Sequence, residues 1–257
     1  MPEGPEIKNM VDNIEHFIDS TLKNIEFVSG RYVNHGPPKT FNILKFPQKI
    51  LDIYAHGKFI IIKLEKKQYL YLTMGMSGHL DSETYKNLRI KFKTSIGIFY
   101  MDDTRNFGQL QIFDIDCHLK KFKTLGYDPL GKNKKTKLEF RTYFRSFKKN
   151  WLIADAVMMP KFIAGIGNYL RAEIFYDSGI NPFCKLEDFN DTMINTFYDS
   201  THKIIKHSYK KIKDDSYINF KVYRREKCPK GNKILFIDRK NRRLWYCPKS
   251  IKYHCKK

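Results

Sequence analysis

No apolar run in the 257 residues approaches the roughly 18 needed to cross a bilayer. The opening Met1-Pro2-Glu3-Gly4-Pro5-Glu6 has neither the basic start nor the apolar stretch of a secretory signal. Both absences point to a soluble, intracellular protein without a membrane partner. Cysteine is sparse and odd in number (Cys117, Cys184, Cys228, Cys247, Cys255), so reduced thiols are expected rather than a disulfide framework. Acidic side chains are in deficit, 27 against 48 Lys and Arg, which leaves a formal net charge of +21. That balance favours polyanionic partners, because neutralising phosphates releases condensed counterions. A composition rich in Lys, Ile and Asn also fits A·T-biased coding, and charge alone does not separate DNA, RNA and an anionic membrane surface. Internal repeats and long low-complexity linkers are missing as well. What remains is a chain 42% hydrophobic, ample for a buried core in one to three domains.

The apolar spacing of Ile7, Met10, Val11, Ile14 and Ile18 predicts an amphipathic helix over 5–18, with Pro5 at its first position. Short β-like runs follow at 25–28, 50–55, 59–64 and 69–73. Over 88–93, Leu88, Ile90 and Phe92 alternate with Arg89, Lys91 and Lys93, a half-buried strand with a basic outer face. The pattern changes at Asp128-Pro129-Leu130-Gly131 and becomes helical from about Leu138. One helix is expected from Asn168 to a cap at Gly179, and a longer one over 191–211. Runs at 233–238 and 243–247 around Arg239-Lys240-Asn241 read as a hairpin. The expected fold class is α+β: an N-terminal β-sandwich domain over 1–130 with a flanking helix, a helical domain over 131–217, and a finger hairpin over 218–257.

Pro2 permits removal of Met1, which would expose a secondary amine. An α-amino group titrates near pH 8, so a useful fraction is neutral and nucleophilic. Such an amine can attack a sugar C1′ and collapse to an iminium. Glu3 and Glu6 stand near enough to donate or accept protons, although Glu6 in the first turn also suits the helix dipole. Pro and Glu are common at plain helix starts, and these six residues alone do not decide the matter.

Four further segments do. Gly57-Lys58-Phe59, Gly75-Met76-Ser77-Gly78 with Arg105-Asn106-Phe107-Gly108, Gly165-Ile166-Gly167-Asn168-Tyr169, and a C-terminal hairpin with Arg242 follow the N-terminal motif in order. Together they make the chain resemble the formamidopyrimidine-DNA glycosylase/endonuclease VIII family, and Gly165 to Ile174 looks like its endonuclease VIII-like branch. The resemblance implies a bifunctional DNA glycosylase and abasic-site lyase of base excision repair. Pro2 is then the nucleophile, Glu3 and Glu6 the acids, and Lys58, Asn168 and Arg242 the contacts to phosphates beside the lesion. Arg243 stands in if the register slips. Met76, Arg105 and Phe107 match the trio that fills the gap left by an extruded nucleotide, where inserted side chains offset unstacking. Lys161 matches a family lysine near the glycine turn. A solvated Lys58, a simple N-cap at Asn168 and core roles for Met76 and Phe107 are the plainer alternatives.

Two departures qualify the resemblance. The family often holds its finger with two Cys-x-x-Cys pairs, but here they read Cys228-Pro229-Lys230-Gly231 and Cys247-Pro248-Lys249-Ser250. A structural zinc wants four ligands. The adjacent His254 and Cys255 make a poor completion, so a zincless finger and no cofactor are expected. The other departure is the short stretch from Lys213 to Tyr217 before the finger, where 8-oxoguanine-preferring members carry a long loop. Oxidised pyrimidines and ring-opened purines are therefore expected over 8-oxoguanine. The implied architecture is two lobes, the second with a helix–two-turn–helix motif, around a basic cleft. The expected partner is damaged double-stranded DNA, with single-stranded and bubble DNA open, bound by a monomer in a nucleus, nucleoid or viral replication compartment. The competing readings are a catalytically silent damaged-DNA-binding protein on the same scaffold and an RNA- or ribosome-associated basic protein.

Overall fold

The computed structural model describes residues 2–132 and 134–255, and the chain divides into two compact units, Met1–Thr124 and Leu125–Lys257. The first unit opens with helix α1 (Gly4–Ile14), whose buried stripe is Ile7, Met10, Val11 and Ile14. The predicted 5–18 helix stops short because Glu15–Phe17 tighten into a 3-10 turn that buries Phe17. Eight antiparallel strands follow: β1 (Thr21–Phe27), β2 (Gln48–His56), β3 (Phe59–Leu64), β4 (Tyr69–Thr73), β5 (Gly78–Asp81), β6 (Leu88–Thr94), β7 (Ile98–Asp103) and β8 (Gln109–Phe113). Their order is β5-β7-β6-β1-β2-β3-β4-β8. β1 meets β2 only at Thr21–Lys49 and Leu22–Gln48, so the sheet folds there into two four-stranded halves. Leu22, Ile90, Phe92 and Phe99 from one half share a core with Ile50, Ile60, Ile62, Leu70 and Leu72 from the other and with α1. This is the expected sandwich.

The outer face of β6 is less freely basic than its alternation suggests. Lys91 and Lys93 pair with Glu26 of β1 at 3.8 and 2.5 Å, and Arg89 Nε donates to the Asp103 carbonyl at 2.8 Å. Two short helices, α2 (Arg31–Asn34) and α3 (Ile115–Lys123), complete the unit.

The second unit contains α4 (Lys137–Arg145), α5 (Ile153–Ala156), α6 (Asn168–Ser178) and α7 (Asp191–Lys213), then the hairpin β9 (Leu235–Arg239) and β10 (Arg242–Tyr246). α6 ends on Gly179 at φ 67°, the left-handed cap expected of that glycine. Buried Phe140, Phe144, Phe162, Leu170, Ile194 and Phe197 form its core. The hairpin turns on two residues, Lys240 and Asn241 at φ 47° and 62°, so Arg239 belongs to β9 and Arg242 begins β10. Two successive left-handed residues match the right-handed twist of the strands, which is why the turn is tighter than the three residues predicted. Among the described residues, no helix is long and apolar enough to cross a membrane.

Candidate active site and nucleic-acid interface

Pro2 stands directly before α1 and is half-buried, with Glu3, 4% exposed, at the N-cap beside it. The Glu3 N–H donates to Glu6 Oε2 at 3.0 Å. Glu6 thus carries a capping duty that satisfies a backbone donor left over by the helix. Lys58 lies elsewhere in the same unit, at the tip of the two-residue turn between β2 and β3, where His56 pairs with Phe59. Gly57 precedes it at φ 59°, as a type II′ turn requires of its first central residue.

Met76, Arg105 and Phe107 come from two loops and meet at the surface. Arg105 Nη1 lies 3.1 Å from Met76 Sδ, and its guanidinium sits 4.8 Å from the Phe107 ring centre. Met76 and Phe107 are 40% and 46% exposed, so the core role that their residue types first suggest is excluded. Sequence reasoning missed the residue that joins the loops. Asp103, 1% exposed, accepts from the Ser77 hydroxyl at 2.6 Å, the Arg105 N–H at 3.2 Å and the Gly108 N–H at 2.6 Å. The Arg105 N–H also donates to Ser77 Oγ at 2.9 Å. Gly75 permits the close approach, since its φ is 55° and an added Cβ would lie 2.7 Å from Phe107 Cβ. An acidic residue shortly before an exposed Arg-Asn-Phe-Gly loop was the available signal.

In the second unit, Gly167 and not Asn168 is the N-cap of α6, and Asn168 occupies the first helical turn. Its side chain is therefore not spent on capping. Asn168 Oδ1 accepts from Arg171 Nη2 at 2.5 Å. Arg171 is 2% exposed, and the same Nη2 donates to the Arg243 carbonyl of β10 at 3.0 Å while Nη1 reaches the Ala154 carbonyl of α5 at 3.3 Å. One buried guanidinium thus joins Asn168 to the finger hairpin. A second tie is bidentate: Arg239 Nε and Nη2 donate to Asp155 Oδ1 and Oδ2 at 3.1 and 2.8 Å. The Arg239 hydrogen bonds hold the Asp155 carboxyl below its usual range and push the guanidinium upward. A third is Glu173, 5% exposed, whose carboxylate accepts the N–H groups of Lys221, Val222 and Tyr223 at 2.9–3.1 Å and fixes the chain before the finger.

Arg242 stands opposite Arg239 in the register and is exposed. Side chains alternate along a strand, so Arg242 shares a face with Arg239 and buried Leu244, the face turned toward α5 and α6. Arg243 takes the other face, 4.6 Å from the Phe236 ring and 3.6 Å from Asp238. Lys161 is exposed with its ammonium 4.8 Å from the Trp151 ring centre, and no recorded contact joins it to Asn168 or Arg242 among the described residues.

Cys228 and Cys247 are both buried in one small cluster with Ala172, Val222 and Ile234, and Tyr176 packs against it. Burial pushes the Cys228 thiol up, but the N–H groups of Lys230 and Asn232, Tyr176 and Cys247 outweigh it and bring it down to about 7. Burial and the neighbouring Cys228 push Cys247 up. Gly231 at φ 77° and Ser250 stand where second ligands would, yet both turns persist: Gly231 N–H donates to the Cys228 carbonyl at 2.8 Å and Ser250 N–H to Cys247 at 3.0 Å. The two sulfurs have no third His, Cys, Asp or Glu within ligating reach among the described residues.

Residues 1–110 match the family model of the formamidopyrimidine-DNA glycosylase N-terminal domain. The formamidopyrimidine-DNA glycosylase of Solibacter usitatus is 26% identical over 185 residues, 71% of this chain and 67% of that protein. Endonuclease 8 of Escherichia coli O9:H4 is 23% identical over 266 residues, 96% of this chain and 98% of that one. A crystal structure of the Lactococcus lactis formamidopyrimidine-DNA glycosylase, bound non-covalently to DNA containing an abasic site, superposes with a TM-score of 0.77 at 24% identity, covering 97% of this chain and 99% of the other. Another structure of the Lactococcus lactis enzyme, with DNA containing an oxidised pyrimidine, gives 0.77 at 23% identity over 98% and 100%. With the N-terminal motif, the order of the later motifs and the sandwich-to-hairpin fold all in agreement, the chain is similar along its length to the formamidopyrimidine-DNA glycosylase and endonuclease VIII proteins, and residues 1–110 match the N-terminal domain of the former.

Proposed function

We propose that this protein is a bifunctional glycosylase and abasic-site lyase that removes oxidised bases from DNA. After Met1 is removed, the Pro2 amine attacks C1′ of the damaged nucleotide and the base leaves with the electrons of its glycosidic bond. Glu3 protonates the sugar ring oxygen as the ring opens, and an iminium links Pro2 to C1′. Loss of a C2′ proton expels the 3′ phosphate, and a second elimination expels the 5′ phosphate. The family resemblance supports Glu3 over Glu6 as the acid, since the capping box engages both carboxylates with backbone N–H groups. Lys58, Asn168 and Arg242 hold the phosphates, and the exposed Met76–Arg105–Phe107 cluster fills the vacated stack. Lys161 adds a peripheral charge.

The observation that carries this reading is the pairing of an N-terminal Pro2-Glu3 with a surface cluster suited to base extrusion, which a pure binder does not need. Borohydride trapping on abasic-site DNA tests it. The processed protein should form a covalent adduct, while an N-terminally blocked protein should bind without trapping. Absence of any adduct would favour the silent binding protein.

The finer assignments are an endonuclease VIII-like member with a zincless finger that prefers oxidised pyrimidines and ring-opened purines. The burial of Cys228 and Cys247 in one apolar cluster, with no third ligand in reach among the described residues, supports the first. Bound zinc that Cys228→Ser and Cys247→Ser remove would overturn it. The short free stretch between Lys213 and the anchored Lys221–Tyr223 segment supports the second, because little chain is available to cover a flipped purine. Excision of 8-oxoguanine matching that of thymine glycol or 5-hydroxyuracil would sink that preference.

A further inference from the structure

Cys184, Asp188 and Cys255 take no part in the proposed DNA chemistry. Their ligand atoms, two Sγ and a carboxylate oxygen, all lie within 4.8 Å of one another. Each is delivered by backbone pairing of its own. Cys184 is fully buried, its N–H donating to the Asn181 carbonyl at 3.2 Å and its carbonyl accepting the Ile153 N–H at 2.8 Å. Asp188 closes the 3-10 turn Leu186–Asp188; its Oδ2 accepts the Lys185 N–H at 2.7 Å, and its Oδ1 has no recorded hydrogen bond among the described residues. Cys255 arrives on a tail held by Lys252 and Tyr253 N–H groups on the Gly179 carbonyl, at 2.7 and 3.1 Å, and by the Asn181 N–H on Tyr253 at 3.0 Å. The Asn181 side-chain amide then donates to Cys255 Sγ at 3.6 Å.

Zn–S bonds of about 2.3 Å and Zn–O bonds of about 2.1 Å put tetrahedral ligands roughly 3.4–3.8 Å apart, within the observed spacing. Two sulfurs and one carboxylate are a soft-to-borderline set that disfavours magnesium and calcium, which prefer all-oxygen shells. We propose that Cys184, Asp188 and Cys255 bind a thiophilic divalent cation, zinc foremost, which clips the C-terminal tail to the helical unit. Binding forms two metal–sulfur bonds and one metal–oxygen bond, releases both thiol protons to solvent, and leaves the fourth position to water. The Asn181 amide supports the Cys255 sulfur from the outer shell.

The test uses the full chain, stripped of metal and kept reduced with a phosphine. Equilibrium dialysis against zinc should give one equivalent, and cobalt(II) should give tetrahedral ligand-field bands with thiolate charge transfer. Cys255→Ser and Asp188→Asn, the latter still able to accept the Lys185 N–H, should each weaken binding about tenfold or more. The Cys228→Ser/Cys247→Ser pair should leave the equivalent in place, and zinc should raise the melting temperature of wild type but not of Cys255→Ser. No uptake, uptake abolished by the Cys228/Cys247 pair, or a cobalt spectrum without thiolate transitions would each overturn the site. So would a Cys184–Cys255 disulfide that persists under the phosphine.

Discussion

Asp103 ties together the two loops that carry the surface cluster without being part of it. Its carboxylate takes donors from Ser77, Arg105 and Gly108 while 1% exposed, so Asp103→Ala strands buried donors on two loops. Leaving such groups unsatisfied costs about 1–3 kcal/mol each at most, and the expected loss in chemical denaturation is about 2–4 kcal/mol in total. Single-turnover excision should slow, while affinity for undamaged duplex, set by phosphates, should change little. Asp155 offers a pH signature. Arg239 holds its folded-state titration below the ordinary 3.8, so its contribution is complete above that value and fades as pH falls through the depressed one. Asp155→Asn should therefore destabilise the protein by about 2–4 kcal/mol near pH 7, and the gap to wild type should narrow as pH falls below the ordinary 3.8. Urea titrations of both proteins across that range measure it; a gap independent of pH would mean the ion pair is not its source.

Arg171 works between elements, joining the start of α6 to α5 and β10. If Asn168 and the finger contact the same phosphates through this link, Arg171→Met and Asn168→Ala should not be additive. The double variant should lose about 1–2 kcal/mol less DNA affinity than the sum of the singles, as measured by titration calorimetry on abasic-site duplex. Additive losses would show that the two residues act apart. None of this coupling was legible in the sequence, because a buried arginine finds its carbonyls only when three segments close around it. Asp103, Glu173 and Asp155 were missed for the same reason. Local patterns fared better. β3 and β4 fall on the predicted bounds, since apolar β-formers fill them and the polar Glu65-Lys66-Lys67-Gln68 turn separates them, and Gly179 ends α6 as its backbone freedom suggests. α6 also starts at Asn168 as predicted, and only the plainer alternative of an N-cap at Asn168 fails, because Gly167 takes that position. The convergence of Met76 with Arg105 and Phe107 came from resemblance alone, because three strands lie between them and spacing does not encode how those strands pair.

At the scale of the whole molecule, the formal charge of +21 sets how binding responds to salt. Each phosphate contact releases condensed counterions, so the logarithm of affinity falls linearly with the logarithm of salt concentration. The proposed phosphate contacts Lys58 and Arg242 belong to different compact units, so their effects should be independent. Lys58→Ala and Arg242→Ala should each make the slope shallower by about 0.9, and the double variant by roughly twice that. Met76→Ala should leave the slope unchanged and lose its effect on duplex that already carries a flexible abasic site, because its work is to stabilise extrusion. Arg243→Ala separates charge from position: its guanidinium is occupied by Phe236 and Asp238, so the slope should stay near wild type. A slope reduced as much by Arg243→Ala as by Arg242→Ala would mean that bulk charge, and not the register of the hairpin, governs the contact. The same titrations on RNA of equal length complete the argument, since a lesion enzyme should keep its preference for abasic duplex DNA after the common electrostatic part has been screened by salt.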